Sequence, residues 1–474
     1  MSSNAAAQLD SLLNILGPDS LLREPAAIEP FLTDHRQLYH GAALAVALPR
    51  TVEQISKLLV YCNSYRLAIV PQGGNTSYCG GATPDESGHQ LVLSLRRLNR
   101  VRSVEPLNYS LVAEAGCTLA AVQQAAEDAE RLFPLSLGSE GTCQIGGNLA
   151  TNAGGTNVVR YGMMRDLVLG LEVVLADGRV LSSLSRLRKD NTGYDVKALF
   201  LGAEGTLGII TAASLKLFPR IRASATAFMA VPDVQTAVEL LGRLREMSGD
   251  RITSFELIPR IGVELTTRHI AGVRDPLEQP QAWYVLCELT SSRAGEPLEP
   301  LLEEMLTAEL ESGTVLDAVL ARNERERGAL WKLRETIPEA QRLDGASLKH
   351  DLSLPITALA AFVAEAALWI EHNVPDGRLV CYGHVGDGNL HFNLNQAPGS
   401  SRATFLAREP HIKRILYDIV HAHGGSFSAE HGIGRLKIAE LERYAPAVEL
   451  DLMRTLKRVL DPNGILNPGK VLRT

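Results

Sequence analysis

Gly138-Ser-Glu-Gly-Thr-Cys-Gln-Ile-Gly-Gly-Asn-Leu-Ala-Thr-Asn-Ala-Gly-Gly155 is the stretch on which the reading of this chain turns. Glycine lets a backbone come close to a ligand, and successive N–H groups form a nest that accepts phosphate oxygens. Two more loops share this composition: Pro71-Gln-Gly-Gly-Asn-Thr-Ser77 and Gly202-Ala-Glu-Gly-Thr-Leu-Gly-Ile209. Each alone reads equally well as a tight turn. Three in one region, with Asn75, Thr76, Ser77 and Thr142 as neutral donors, point to one large phosphate-bearing cofactor. The two common nucleotide fingerprints, Gly-x-Gly-x-x-Gly after a strand and Gly-x4-Gly-Lys-Ser/Thr, are absent from the sequence, so a Rossmann dehydrogenase or a P-loop ATPase lacks its phosphate loop.

Strands and helices alternate around these loops. Residues 45–48, 67–70, 91–95, 101–104 and 110–115 read as strands. Thr51-Val-Glu-Gln54 resembles a capping box and starts a helix over 52–65 with apolar residues at helical spacing; 119–130 is a second helix. Before them, 5–16 is amphipathic. From about Arg220 the order changes to strand 223–231, helix 233–247 capped by Asp233, strands 252–257 and 283–289, helix 298–311 and strand 314–318. That is the split βαβ pattern of a ferredoxin-like sheet. Helices are expected over 324–342, interrupted by Pro338, and over 356–373, 402–423 and 436–459, before a turn-rich tail at 461–468. The fold class is therefore α+β.

Length, 474 residues, allows two or three domains, and 45% hydrophobic with 21% charged residues is ordinary for a globular chain. A net charge of −7 argues against nucleic acid, which selects a basic excess. No run of 18 apolar residues suggests a membrane span, and no basic start with an apolar core suggests a secretory signal. Cys62, Cys79, Cys117, Cys143, Cys287 and Cys381 are scattered without Cys-x-x-Cys, which reads as reduced thiols and an expected cytoplasmic location.

A second constellation lies at Tyr382-Gly-His-Val-Gly-Asp-Gly-Asn-Leu-His-Phe-Asn393. It reads as a hairpin around Gly-Asp-Gly-Asn. With that turn centred, His384 pairs with His391, and their Cβ atoms stand roughly 5 Å apart on one face. Two converging imidazoles suit a divalent metal, and Glu430 of Glu430-His431 is the candidate third ligand, with Zn2+ expected and Mn2+, Co2+ or Fe2+ compatible. His431 would project to the other side and serve as base, since an imidazole titrates near neutral pH. Asn393 shares the ligand face and could hold a substrate oxygen. His421 and His423 precede Gly424 at a helix end and read as structural.

Pro71-Gln-Gly-Gly-Asn-Thr76, Ile145-Gly-Gly-Asn148 with Thr151-Asn-Ala-Gly-Gly155, Arg160-Tyr-Gly162, Gly170-Leu-Glu-Val-Val-Leu-Ala-Asp-Gly178, Lys189-Asp-Asn-Thr-Gly-Tyr-Asp195 and Gly205-Thr-Leu-Gly-Ile-Ile-Thr211 resemble the flavin domain of the vanillyl-alcohol oxidase / p-cresol methylhydroxylase superfamily. Gly383-His-Val-Gly-Asp-Gly-Asn-Leu-His391, Ala429-Glu-His-Gly-Ile-Gly434 and Asp461-Pro-x-Gly-Ile-Leu-Asn-Pro468 resemble its FAD-linked D-2-hydroxyacid dehydrogenase branch. The resemblance spans about residues 30–472. It implies a two-part FAD-binding domain, a ferredoxin-like substrate domain and a C-terminal helical segment. The divisions are 1–38, an N-terminal helical segment; 39–219, the FAD-binding domain; 220–425, the substrate domain with the metal hairpin; and 426–474, a segment returning to the flavin.

The resemblance also implies non-covalent FAD held by Gly73, Gly74, Asn75, Thr76, Ser77, Gly138, Ser139, Thr142, Gly146, Gly147, Asn148, Thr151, Asn152, Glu204, Gly208, Ile209 and Asn467. It carries the metal assignment to His384, His391 and Glu430, and gives Arg334 and Lys349 the substrate carboxylates beside Asn393 and His431. Some relatives carry Thr where this chain has Pro338, which removes a hydroxyl from the acid-binding pocket. The implied reaction is oxidation of a D-2-hydroxy acid, D-2-hydroxyglutarate favoured, to the 2-oxo acid, with an electron-transfer flavoprotein or a quinone as acceptor and a homodimer as one open assembly. D-lactate or glycolate oxidation, a zinc hydrolase built on His384, His391 and Glu430, and a catalytically silent FAD-binding subunit stand as alternatives.

Overall fold

The computed structural model describes residues 3–473, which divide into two compact units. The first comprises residues up to Gly154, Gly162–Arg220, and the chain from Glu430 onward; the second comprises Gly155–Tyr161 and Ile221–Ala429.

In the first unit, Ala45–Ala47 and Ile69–Gln72 flank Leu91–Ser94 in parallel, and Leu21–Leu22 closes the sheet at the Ala45–Ala47 edge. The helix Val52–Tyr65 starts where its cap predicts. The Thr51 hydroxyl accepts from the Gln54 N–H, and the Gln54 side chain accepts from the Arg50 N–H. Its buried face, Ile55, Leu58, Leu59 and Cys62, packs into a core with Leu12 and Leu16 of Ser3–Leu16 and with Leu91 and Leu93. A second, antiparallel sheet runs Val101–Glu105, Ser110–Glu114, Ile209–Lys216, Val168–Val174, Val180–Ser183.

The turn-rich tail is part of this core. Ile465 and Leu466 are buried within it, and Leu466 bridges Ile69 in parallel. Asp461, 2% exposed, accepts from the Ile465 and Leu466 N–H groups and from Lys457 Nζ at 2.6 Å. Both lone-pair sets of a buried carboxylate are thus occupied, which fixes the tail's path.

The second unit is built on the expected ferredoxin-like sheet. Asp317–Leu320, Ala223–Val231, Trp283–Ser291 and Ile252–Pro259 lie side by side in that order, all antiparallel. Asp233 caps Val234–Ser248 through the Thr236 N–H. The hairpin Gly377–His384 / Asn389–Gln396 extends this sheet by pairing with Ile252–Pro259. A helix the sequence did not announce, Arg260–His269, follows directly on Pro259.

Each expected long helix that contains a proline is two helices. Glu324–Glu335 gives way to Ile337–Asp344 with Pro338 in its first turn; Arg402–Ala407 to Glu409–Ala422 with Pro410; and Ile438–Tyr444 to Ala447–Leu460 beyond Pro446. Proline removes an N–H that a continuous helix needs and suits a helix's first turn. Among the described residues no helix is long and apolar enough to cross a membrane.

Candidate active site

The first glycine loop offers what a phosphate needs. The backbone N–H groups of Gly73 to Ser77 meet no acceptor among the described residues, five donors in sequence. Asn75 takes a left-handed φ of 55°, which turns the loop. Gly74 lies so close to the second loop that a Cβ would stand 2.1 Å from the Thr142 carbonyl oxygen, so the two loops form one wall. Gly138, Gly141 and Gly147 face open space instead. Buried acceptors complete the set: Gln144 Oε1, Asn148 Oδ1 and Asn467 Oδ1 have no hydrogen-bond partner. Unmatched N–H groups suit phosphates, and unmatched oxygens suit hydroxyl and amine donors. A flavin dinucleotide presents both, so the residues fit it.

Several side chains expected to reach the cofactor are engaged by the protein. Asn75 Nδ2 donates to the Thr33 carbonyl, Thr142 to Ser139, and Thr151 to Gly147. Asn152 Oδ1 accepts from the Arg165 N–H, and Ser77 Oγ from the Cys79 N–H. Gly146 and Gly208 are tight packing positions against Ala115 and Val173, and the Ile209 side chain is in the core. The Glu204 carboxylate accepts from the Ile433 and Gly434 N–H groups at 2.7 and 2.8 Å, so it clasps the Gly432-Ile-Gly434 turn. Burial pushes its pKa up, and those two N–H groups oppose the shift. Asn467 Nδ2 ties the tail to Gly81 and Glu204 carbonyls. Cys79 and Cys143 are buried thiols, as are all six cysteines.

In the second unit the two hairpin histidines converge, but not by the expected register. Tyr382, not His384, pairs with His391, because Val385–Asp387 forms a helical turn and Gly388 a left-handed one, which lengthens the connection. His384 and Tyr382 have the same strand parity, so the imidazoles still meet diagonally, ring centroids 5.5 Å apart, with one ligand atom of each within 4.8 Å. His384 pairs instead with Glu256 of the neighbouring strand.

That pairing supplies groups the sequence reading missed. Glu256 is fully buried. Its Oε1 is 2.6 Å from His384 Nδ1, and its Oε2 accepts from Arg334 Nε at 2.7 Å. Burial pushes its pKa up, but the charge of Arg334 and the hydrogen bonds from His384 and Arg334 outweigh burial and hold it below the usual carboxylate range. Tyr382 lies under the Arg334 guanidinium, 4.8 Å from its ring centre. Asp351 Oδ1 stands 4.0 Å from His391 Nδ1. His384 therefore has a hydrogen-bonded carboxylate at Nδ1, the usual outer partner of a metal-binding histidine, while the Asp351 carboxylate stands near His391 beyond hydrogen-bond reach. The signal was available: Glu256 is the one charged residue in the otherwise uncharged run Ile252-Thr-Ser-Phe-Glu-Leu-Ile-Pro259, and carboxylates are seldom buried unless paired.

Arg334 is itself 6% exposed, and Lys349 is half-buried just before Asp351–Ser353. Asn393 is tied into the protein: its Oδ1 accepts from the His350 N–H and its Nδ2 donates to Gln341, within a buried network that includes Asn395, which fixes the orientation of the amide. His423 pairs with Glu365 at 2.8 Å. Glu430 and His431 follow Ala429 directly, where the chain passes from the second unit to the first, and the His431 ring lies 4.5 Å from that of Tyr78. The converging imidazoles of His384 and His391 are donors suited to a divalent cation.

Comparison with known proteins agrees with this geometry. An FAD-binding domain family matches residues 43–183, and the C-terminal domain of FAD-linked oxidases matches 220–471. Mitochondrial D-2-hydroxyglutarate dehydrogenase of Bos taurus is 41% identical over 462 residues, 96% of this chain and 82% of that protein. The Arabidopsis thaliana enzyme is 38% identical, covering 97% and 80%. A D-2-hydroxyglutarate dehydrogenase of Xanthomonas citri is 36% identical, covering 96% and 94%. Among solved structures, p-cresol methylhydroxylase with substrate bound shares the fold at TM-score 0.76 and 17% identity, covering 99% of this chain and 97% of that one. The expected cytoplasmic location is overturned by the mitochondrial relatives. Buried reduced thiols report a redox environment, not an address.

Proposed function

The chain belongs to the FAD-linked oxidases of the vanillyl-alcohol oxidase / p-cresol methylhydroxylase superfamily and is an FAD-dependent D-2-hydroxyacid dehydrogenase; from that premise we propose how its residues share the oxidation of D-2-hydroxyglutarate to the 2-oxo acid. Bound FAD supplies the two-electron acceptor and a bound divalent ion the Lewis acid. The N–H groups of residues 73–77 and the loop 138–148 hold the pyrophosphate, with Asn148 and Asn467 offering acceptors to hydroxyl or ring N–H groups. His384, His391 and Glu430 hold the ion, with Zn2+ favoured because two imidazoles and one carboxylate are the ligand composition of an open catalytic zinc site. His431 Nε2 or Nδ1 takes the hydroxyl proton. Arg334 and Lys349 bind the two carboxylates. Residues 39–219 with 426–474 form the cofactor part and 220–425 the substrate part. An electron-transfer flavoprotein or a quinone reoxidises the enzyme, and a homodimer is the assembly we favour.

The observation that carries this reading is the shared carboxylate. Glu256 bonds both His384 and Arg334, which brings an ion ligand and a carboxylate-binding guanidinium side by side in a buried setting. A 2-hydroxy acid needs those two functions at adjacent atoms. A second cation, Lys349, favours a dicarboxylate over D-lactate or glycolate. Steady-state turnover with a dye acceptor tests this. We expect kcat/KM for D-2-hydroxyglutarate to exceed that for D-lactate on the order of a hundredfold, since an unmatched cationic site penalises the shorter acid. Equal or reversed values would move the assignment to a monocarboxylate.

A further inference from the structure

We propose that Glu256 is the positioning residue of this site: its two carboxylate oxygens lock the ion ligand His384 and the substrate-binding Arg334 into one fixed assembly. The proposal rests on the ligand and substrate roles given above. Its support is geometric. Glu256 and His384 are register partners on neighbouring strands, so their side chains leave the sheet on the same face. Glu256 has no exposed surface, His384 is 6% exposed, and Arg334 is 6% exposed, so water does not compete for these bonds.

The chemistry follows from what a carboxylate can accept. An ionised carboxylate has no donor, so both neighbours must present an N–H to it. His384 then carries its proton on Nδ1 and keeps the lone pair on Nε2 for the ion. Arg334 is held by Nε, which orients the rest of the guanidinium, and Tyr382 supports it from below. His384 needs this anchor because it ends its strand: the next residues, Val385–Asp387, leave the sheet in a helical turn. A carboxamide cannot replace the carboxylate. It offers one oxygen and one NH2, so either Arg334 or His384 Nδ1 would face a donor. The imidazole's escape is to move its proton to Nε2, which abolishes ligation.

The test is metal affinity by chelator competition on the FAD-loaded enzyme, with the flavin spectrum and thermal unfolding as checks on the fold. Glu256→Gln should weaken the Zn2+ dissociation constant about 10–100-fold, the range for loss of an outer partner of a ligand histidine. Glu256→Asp should recover part of it, and KM for the acid should rise in Glu256→Gln more than kcat falls. Should Glu256→Gln not fold, the apolar pair Glu256→Leu with Arg334→Met leaves no orphaned charge and should show the same affinity loss. Folded Glu256→Gln, or the folded double variant, binding Zn2+ as tightly as wild type would overturn the proposal while leaving the ligand assignment standing. Wild-type enzyme that takes up no divalent ion would overturn the ligand assignment and this proposal together.

Discussion

Arg334 carries two duties, and they can be separated by measurement. Its Nε holds Glu256, a structural bond between buried partners, while its remaining donors are assigned to substrate. Arg334→Met should therefore do two things. It should destabilise the fold by about 3–5 kcal/mol, because Glu256 is left with an uncompensated buried charge. It should also raise KM for the acid far more than it lowers kcat. Urea unfolding and steady-state kinetics check the two effects, and unchanged stability would show that Glu256 finds another partner. At this scale the sequence was only partly legible. His384 and His391 are legible from the hairpin's spacing, and Arg334 by resemblance alone. Glu256 and Asp351 are not, because nothing local says that a carboxylate distant in sequence, about 130 positions for Glu256, will lie beside a histidine. Asn393 and Glu204 carry hydrogen bonds to the protein that sequence spacing does not announce.

Elements were read well wherever local rules decide them. The Thr51 and Asp233 caps placed helix starts correctly, and the strand–helix rhythm after Arg220 gave the ferredoxin-like sheet. The errors have one physical source each. Helices drawn through Pro410 and Pro446 break there, and a turn judged by composition proved longer, shifting the hairpin register by two residues. One junction so created has a pH signature. Asp344 ends the helix Ile337–Asp344 and bonds Arg378 of the hairpin and His269 at 3.1 Å. Burial acts to raise its pKa, but Arg378 and His269 outweigh burial and lower it. A carboxyl whose folded pKa lies below its unfolded value contributes stability above the unfolded value, about 3.9, and loses it as pH falls toward the folded one. Wild type should therefore lose more stability between about pH 5 and 3 than Asp344→Asn, whose curve should be flatter there and lower by about 1–3 kcal/mol at neutral pH. Chemical denaturation across that range checks it, and parallel curves would remove Asp344 from the account.

On the scale of the whole molecule, the chain returns at its end to the unit where it began. Asp461 and Lys457 pin a tail whose Leu466 joins the first core and whose Asn467 presents an unmatched oxygen beside the glycine loops. The glycine loops were legible because phosphate binding needs consecutive N–H groups and little side chain. The tail's role was legible only through resemblance, since four hundred residues separate it from Ile69 and spacing carries no such information. The central claim is that this molecule moves two electrons from a D-2-hydroxy acid to FAD. Its most direct test is the visible spectrum of the purified protein under anaerobic conditions, before and after D-2-hydroxyglutarate. The account expects an oxidised flavin spectrum that bleaches with the D acid and persists with the L acid. A flavin that persists with both, in protein carrying its divalent ion, would contradict it.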